Sequence, residues 1–176
     1  MPPRTRHFIF LAIGILCLWS RETFAQSEDD VIRVSVRTIS FLKPSLAGTV
    51  TAAIIFEPGN AESEKEARAI ERSLAGSRGS GTITLRPKRV PAGSLDQLSG
   101  ARVAFVTRGT NYRQIAAASA SRSILTIGFD PACTRSGHCV LTVTSRPKVQ
   151  IVISRSAAAA AGLRFNSSFL MLIKEI

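Results

Sequence analysis

Aromatic side chains with a polar handle are almost missing from this chain, which has one Trp (Trp19) and one Tyr (Tyr112) in 176 residues. Single-stranded nucleic acid is held by stacking bases on such rings beside basic residues. The shortage argues against that role even though 23 Lys plus Arg face 12 Asp plus Glu. Histidine is as scarce, with His7 and His138 alone. A Ser-His-Asp site in the body of the chain would have to use His138, which stands in a loop segment beside a cysteine. Gly-x-Ser-x-Gly does not occur, and no pair of carboxylates stands out. The glycine-rich stretch from Gly76 to Gly81 follows a helical segment and precedes a strand, whereas a phosphate cradle must open a helix. These absences lead us to expect no enzyme, no cofactor and no metal.

What is present begins at the N-terminus. Arg4 and Arg6 precede an apolar run from Phe8 to Trp19, and a short polar stretch ends in Thr23-Phe24-Ala25. A basic segment, about 12 apolar residues and a small residue at the boundary form the pattern of a secretory signal peptide. We expect residues 1–25 to be removed between Ala25 and Gln26. The run is short of the roughly 20 residues that span a bilayer, although an uncleaved anchor is the rival reading. Cys17 lacks the neighbours of a lipoprotein site and reads as part of the signal. Removal takes Arg4, Arg6, Arg21 and Glu22 and leaves 151 residues with a formal charge of +9. No other segment is long and apolar enough to span a membrane. An exported bacterial protein of this kind lies in the periplasm, where cytoplasmic nucleic acid is out of reach. The positive charge then reads as diffuse, with Arg86-Pro87-Lys88-Arg89 as its one dense cluster.

Residues 26–176 alternate helical and strand patterns. Val31 to Lys43 is ambiguous, since Ile32, Val34 and Val36 alternate while Ile32, Val36, Ile39 and Leu42 share a helical face. Thr49 to Phe56 is a β-branched apolar run, as expected of a strand buried on both faces. Ala61 to Leu74 reads as a helix capped by Asn60, with Ala67, Ile70 and Leu74 as its stripe and Glu64 paired to Arg68. Gly81 to Val90 is a less apolar strand, nearer an edge. Arg102 to Thr107 and Ile124 to Phe129 are buried strands flanking a helix over Tyr112 to Ser121. Val140 to Thr144 and Val149 to Ser154 form a hairpin joined by Ser145 to Lys148. Helices over Ala157 to Ala161 and Ser168 to Glu175 close the chain. With Asn166 as its cap, the last has Phe165 and Leu170 placed as a hydrophobic staple. The order indicates an α/β fold: a single domain with a mostly parallel central sheet, flanking helices, a C-terminal hairpin and two terminal helices. The apolar last segment either closes the core or offers part of its face to a partner.

Cys133 and Cys139 flank a loop between two strands. Two cysteines six apart in an exported chain read as a local disulfide. Such a bridge stabilises by about 2 kcal/mol through the denatured state. A metal site using both thiolates and His138 is the alternative, but it lacks a clear fourth ligand.

Taken together, these features resemble the YfiR family of periplasmic proteins. The match is strongest from Ile124 to Ile173. It comprises the strand Ile124-Leu125-Thr126-Ile127-Gly128, the 131–139 loop, the hairpin from Val140 to Ser154, the Ala-rich segment Ala157 to Leu163, and Ser167-Ser168-Phe169-Leu170. This chain departs from the family where Lys43-Pro44 replaces Trp-Pro and where Ser154 replaces the Asn after the last strand. A second family disulfide is absent, with Ala52, Ala53 and Ala101 in its neighbourhoods. The resemblance implies that Val31 to Lys43 is helical and that the Cys133–Cys139 bridge is the retained one. It also implies a non-enzymatic regulator that binds the periplasmic sensor part of an inner-membrane diguanylate cyclase or histidine kinase. Control of cyclic di-GMP and biofilm follows from that. Homodimerisation stays open, and no contact residue is singled out. The alternative function is an exported small-ligand or anion-binding α/β protein.

Overall fold

A computed structural model describes residues 22–76, 83–145 and 148–176. Residues 1–21, the side chains of residues 22–28 (the expected cleavage site Ala25-Gln26 among them), the 77–82 stretch of the glycine-rich loop and Arg146-Pro147 lie outside the described residues.

The ambiguous segment is helical. Helix α1 (Glu22–Ile39) buries Ile32, Val36 and Ile39 along one face. The buried Ser35 and Thr38 donate their hydroxyls to the Val31 and Ser35 carbonyls, so burial leaves neither unsatisfied. These local bonds and the face-wide burial override the strand-like alternation of Ile32, Val34 and Val36. Strand β1 (Leu42–Lys43) follows, then β2 (Gly48–Phe56), in which Ala52, Ala53, Ile54 and Ile55 are all buried.

Helix α2 (Ala61–Gly76) starts where Asn60 Oδ1 accepts the Ser63 amide at 3.1 Å. Its stripe of Ala67, Ile70 and Leu74 packs on one sheet face with Val50, Ala52 and Ile54 of β2. Strand β3 (Ile83–Pro91) lies at the sheet edge, the position in which a strand tolerates Pro87 and Pro91. A 3-10 turn at Leu95–Leu98 leads into β4 (Ala101–Val106). The ladder shifts register here, because Thr51 pairs with Ala101 and Ala52 with Val103. Arg102 is the extra residue and is exposed.

Helix α3 (Tyr112–Ala120) is capped by Asn111 and leads into β5 (Leu125–Gly128). A short helix, α4 (Pro131–Arg135), follows, capped by Asp130 with Pro131 at its start. Strands β6 (Leu141–Thr144) and β7 (Gln150–Ile153) form the antiparallel hairpin, with Leu141 opposite Ile153.

Helix α5 (Arg155–Ala160) takes its cap from Ser154, and Gly162 follows at φ +64°. Strand β8 (Arg164–Phe165) returns to pair with β1. The second terminal helix is a single turn, α6 (Ser167–Leu170), and the chain ends in β9 (Lys174–Glu175) beside β7. The expected helix through Glu175 is thus cut short. Edge pairing on β7 satisfies the terminal backbone, with the Ile176 amide donating to the Ile153 carbonyl at 2.9 Å.

The seven-stranded sheet has the order β3-β2-β4-β5-β6-β7-β9 and is parallel from β3 to β6. One core joins α1, α2 and the C-terminal segment on one face, around Ile54, Phe105 and Ile127. A second core lies on the other face, with Ile55, Val106, Ile115 and the two cysteines. Among the described residues, no helix is long and apolar enough to cross a membrane.

Candidate functional site

In a sheet of this type the crevice beyond the strand carboxyl ends is the usual ligand site, at the point where successive connections diverge. Here that point lies between β2, which connects through α2, and β4, which connects through α3. It is filled by its own side chains. Ser63 Oγ accepts the Glu57 amide at 2.8 Å and lies 2.7 Å from Thr107 Oγ1. Thr107 in turn donates to the Ile55 carbonyl at 3.0 Å, so the proton between the hydroxyls comes from Ser63. The buried carboxylate of Glu66 accepts both the Arg108 amide, at 2.8 Å, and the Arg108 guanidinium. Arg108 also reaches the Phe129 carbonyl and Glu62. Tyr112 donates its hydroxyl to Asp130 at 3.0 Å. Burial and that bond to a carboxylate push the phenol up to about 12. These contacts tie α2, β4 and β5 together, which is a clamp and not a vacant site.

Cys133 in α4 and Cys139 before β6 are joined as a disulfide, with Cα atoms 5.1 Å apart and both side chains buried. The Cys133 carbonyl accepts the His138 and Cys139 amides at 2.9 and 3.0 Å. Gly128 lies directly beneath the bridge. His138 Nδ1 sits 2.8 Å from Ser136 Oγ, but that hydroxyl already donates to main-chain carbonyls of α4. The pair therefore holds the loop together and does not activate a nucleophile. Among the described residues, no group of three or more His, Cys, Asp or Glu is placed to hold a metal ion. The basic cluster is split by the pleat of β3. Arg86 and Lys88 are exposed, whereas Arg89 lies over the Phe56 ring at 4.2 Å.

Among the described residues, an open surface lies at the C-terminal end. A hollow of about 570 Å³ opens between β7, α5, β8 and α6, walled by Ile153, Ala158, Leu163, Phe165 and Leu170. Arg155 and Glu175 face each other there at 3.6 Å. The expected staple residues, Phe165 and Leu170, both belong to this wall. Directly after Leu170, Met171 and Leu172 are 81% and 84% exposed. Phe41, at the end of α1, stacks on Phe169 at 4.3 Å and is itself partly exposed. The sequence pattern puts Met171 and Leu172 in a helix through Glu175 that either closes the core or offers part of its face to a partner. Their exposure follows from the early end of α6, which periodicity does not reveal.

Residues 53–173 match the family model described as YfiR/HmsC-like. No curated protein sequence matches this chain. Among solved structures, the fold is similar to an ABC domain from Streptococcus pneumoniae in complex with L-Trp, at TM-score 0.61 and 12% identity over 82% of this chain. It is also similar to a conserved domain protein from Vibrio cholerae O1 biovar El Tor, at TM-score 0.61 and 11% identity over 82% of this chain. A substrate-binding protein with adhesive properties from Clostridium difficile, in a ligand-free open form, aligns at TM-score 0.59 and 10% identity over 84%. This chain spans 61%, 59% and 59% of the length of those three. At such identities the likeness is one of fold.

Proposed function

The chain belongs to the YfiR/HmsC-like family, and we propose that it is a non-catalytic regulator of the periplasm that binds the sensor part of an inner-membrane signalling protein. The partner is a diguanylate cyclase or a histidine kinase, and binding favours one state of its sensor. A ligand shifts a two-state equilibrium only by its differential affinity for the two states. The protein therefore needs a docking face and no chemistry. The observation that carries this reading is the pair Met171 and Leu172, exposed beside an apolar hollow. Contiguous exposed apolar surface on a protein with well-filled cores marks an interaction site. Export through residues 1–25, with cleavage between Ala25 and Gln26, is part of the same proposal.

The test is complementation of a deletion strain. Wild-type protein should restore cyclic di-GMP or kinase output and crosslink to an inner-membrane protein bearing a periplasmic sensor domain. The double variant Met171→Glu/Leu172→Glu should be exported and folded yet fail in both. Full complementation by that variant would remove the docking face. A deletion that leaves both outputs unchanged would remove the regulatory reading itself.

One observation favours a second reading. A hollow of about 570 Å³ lies within the range of roughly 300–1,000 Å³ typical of small-molecule sites, and of the similar folds one is a complex with L-Trp and another a substrate-binding protein. Native mass spectrometry of protein purified from the periplasm distinguishes the two, since a retained small molecule would favour ligand binding.

A further inference from the structure

We propose that the gap between α3, α5 and the loop after α4 is a hydration site, in which ordered water is held by Ser119. Ser119 is 2% exposed, and its Oγ has no hydrogen-bond partner. A buried hydroxyl without a partner loses its hydration and gains nothing in return. Serine inside a helix ordinarily escapes this by donating to the carbonyl four residues earlier, which here belongs to Ile115. Ser119 does not make that bond, and it lines a cavity of about 30 Å³. A water needs roughly 10–15 Å³ of such volume and two to four polar partners, so the space suits one or two molecules and nothing larger.

The partners are present in the walls. Thr126 Oγ1 accepts the Val140 amide at 2.9 Å and keeps its own proton to donate. Gly137 and His138 complete the lining, with the Gly137 amide itself held by the Thr134 carbonyl at 3.1 Å. The remaining walls are mostly alanine, contributed by α3 and by Ala157 and Ala160 of α5. Short side chains on both facing helices leave the gap, and Ser119 makes it polar. A purely apolar gap of this size would stay dry.

The site has a defined place in the fold. Helix α5 shows Ala157 and Ala160 to this cavity and Ala158 and Ala159 to the C-terminal hollow. One thickness of alanine helix thus separates bound water from that hollow. An alanine at Gly137 would bring its Cβ to 3.1 Å from Ser156 Oγ, so the loop after α4 also abuts the start of α5.

The experiment is NMR of the mature protein, using water–protein cross-relaxation, alongside a crystal structure at about 1.5 Å. Long-lived water cross-peaks are expected at the Ser119 and Gly137 amides. Density should appear within about 3.2 Å of Ser119 Oγ, the normal limit of a hydrogen bond. Ser119→Ala should fold normally and lose both signals. An empty wild-type cavity, a Ser119 hydroxyl turned onto the Ile115 carbonyl, or cross-peaks that persist unchanged in Ser119→Ala would each overturn the proposal. None of these outcomes depends on what binds in the C-terminal hollow.

Discussion

Replacing Gly128 by alanine puts one methyl group against the disulfide. The added Cβ would lie 2.9 Å from Cys139 Sγ and 3.3 Å from the Cβ atoms of both Cys133 and Cys139. Carbon contacts are optimal at about 3.5–4.0 Å, so all three distances are repulsive, and one falls short by more than half an ångström. Every clashing atom belongs to the same bridge, which is buried and spans only six residues. The neighbour cannot swing aside as the end of a flexible side chain could. Overpacking of this kind costs about 1–3 kcal/mol. Loss of glycine's freedom in the unfolded chain returns roughly 0.4–1 kcal/mol. The net expectation is about 1–2 kcal/mol, read by urea denaturation of the oxidised mature protein. For a domain of this size that is a fall in Tm of about 2–8 °C. A double-mutant cycle isolates the cause. Cys139→Ala removes Sγ and opens the bridge, at a cost of about 2.4 kcal/mol from loop entropy. In that background Gly128→Ala should cost less by about 1 kcal/mol or more. Equal costs in both backgrounds, or no cost in the oxidised protein, would refute the reasoning.

Tyr112 is the only tyrosine, so its phenolate absorbance titrates without overlap. The midpoint should lie near 12, since burial and then the bond to Asp130 favour the protonated form. Stability from this group is full below about pH 10, the unfolded value, and declines as pH rises towards the folded value of about 12; a midpoint near 10 would contradict the buried bond. Arg108→Met leaves the backbone amide on Glu66 but removes the guanidinium from a buried carboxylate, and should cost about 1–3 kcal/mol by thermal denaturation. A change under about 0.5 kcal/mol would place that pair among ordinary surface bridges. Met171→Glu and Leu172→Glu replace exposed side chains and should each shift stability by no more than about 0.5 kcal/mol. Larger losses would mean that these residues close the core.

Most of the architecture was legible because its signals are local and repeated. The run of β2 needed two buried faces, and Asn60, Ala67, Ile70 and Leu74 carried cap and stripe together. Helix α1 was not legible from periodicity, since the same residues satisfied both periods. The hydroxyl bonds of Ser35 and Thr38 to main-chain carbonyls belong to the helix alone. Helix α4 falls in the expected 131–139 loop, although Asp130-Pro131 is a cap followed by a proline at the first helical position. The end of α6 could not have been read locally, because it depends on β9 reaching β7, a contact between residues far apart in sequence. That contact decides whether Met171 and Leu172 are core or surface, and with it where the candidate site lies.

The two ends of the sheet then divide the functional possibilities by a physical criterion. Beyond the carboxyl ends of β2 and β4, polar side chains engage each other, and Glu66 is covered by Arg108. A ligand entering there would have to break charge-assisted bonds before making its own, and would also strip a buried carboxylate of its partner. At the C-terminal hollow the balance is reversed. Its walls are mostly apolar and open to solvent, so an apolar occupant covers them and breaks little beyond the long Arg155–Glu175 pair, whose arginine side chain is mostly exposed. Exposed pairs of this kind are worth about 1 kcal/mol or less, while apolar burial returns roughly 25 cal/mol per Å². Covering a few tens of Å² of apolar surface is therefore enough to offset the loss of that pair. The same arithmetic disfavours the crevice where similar folds would be searched first. Under the proposed function, recognition falls on the segment from Leu163 to Leu172, which the last strand pairing leaves partly uncovered.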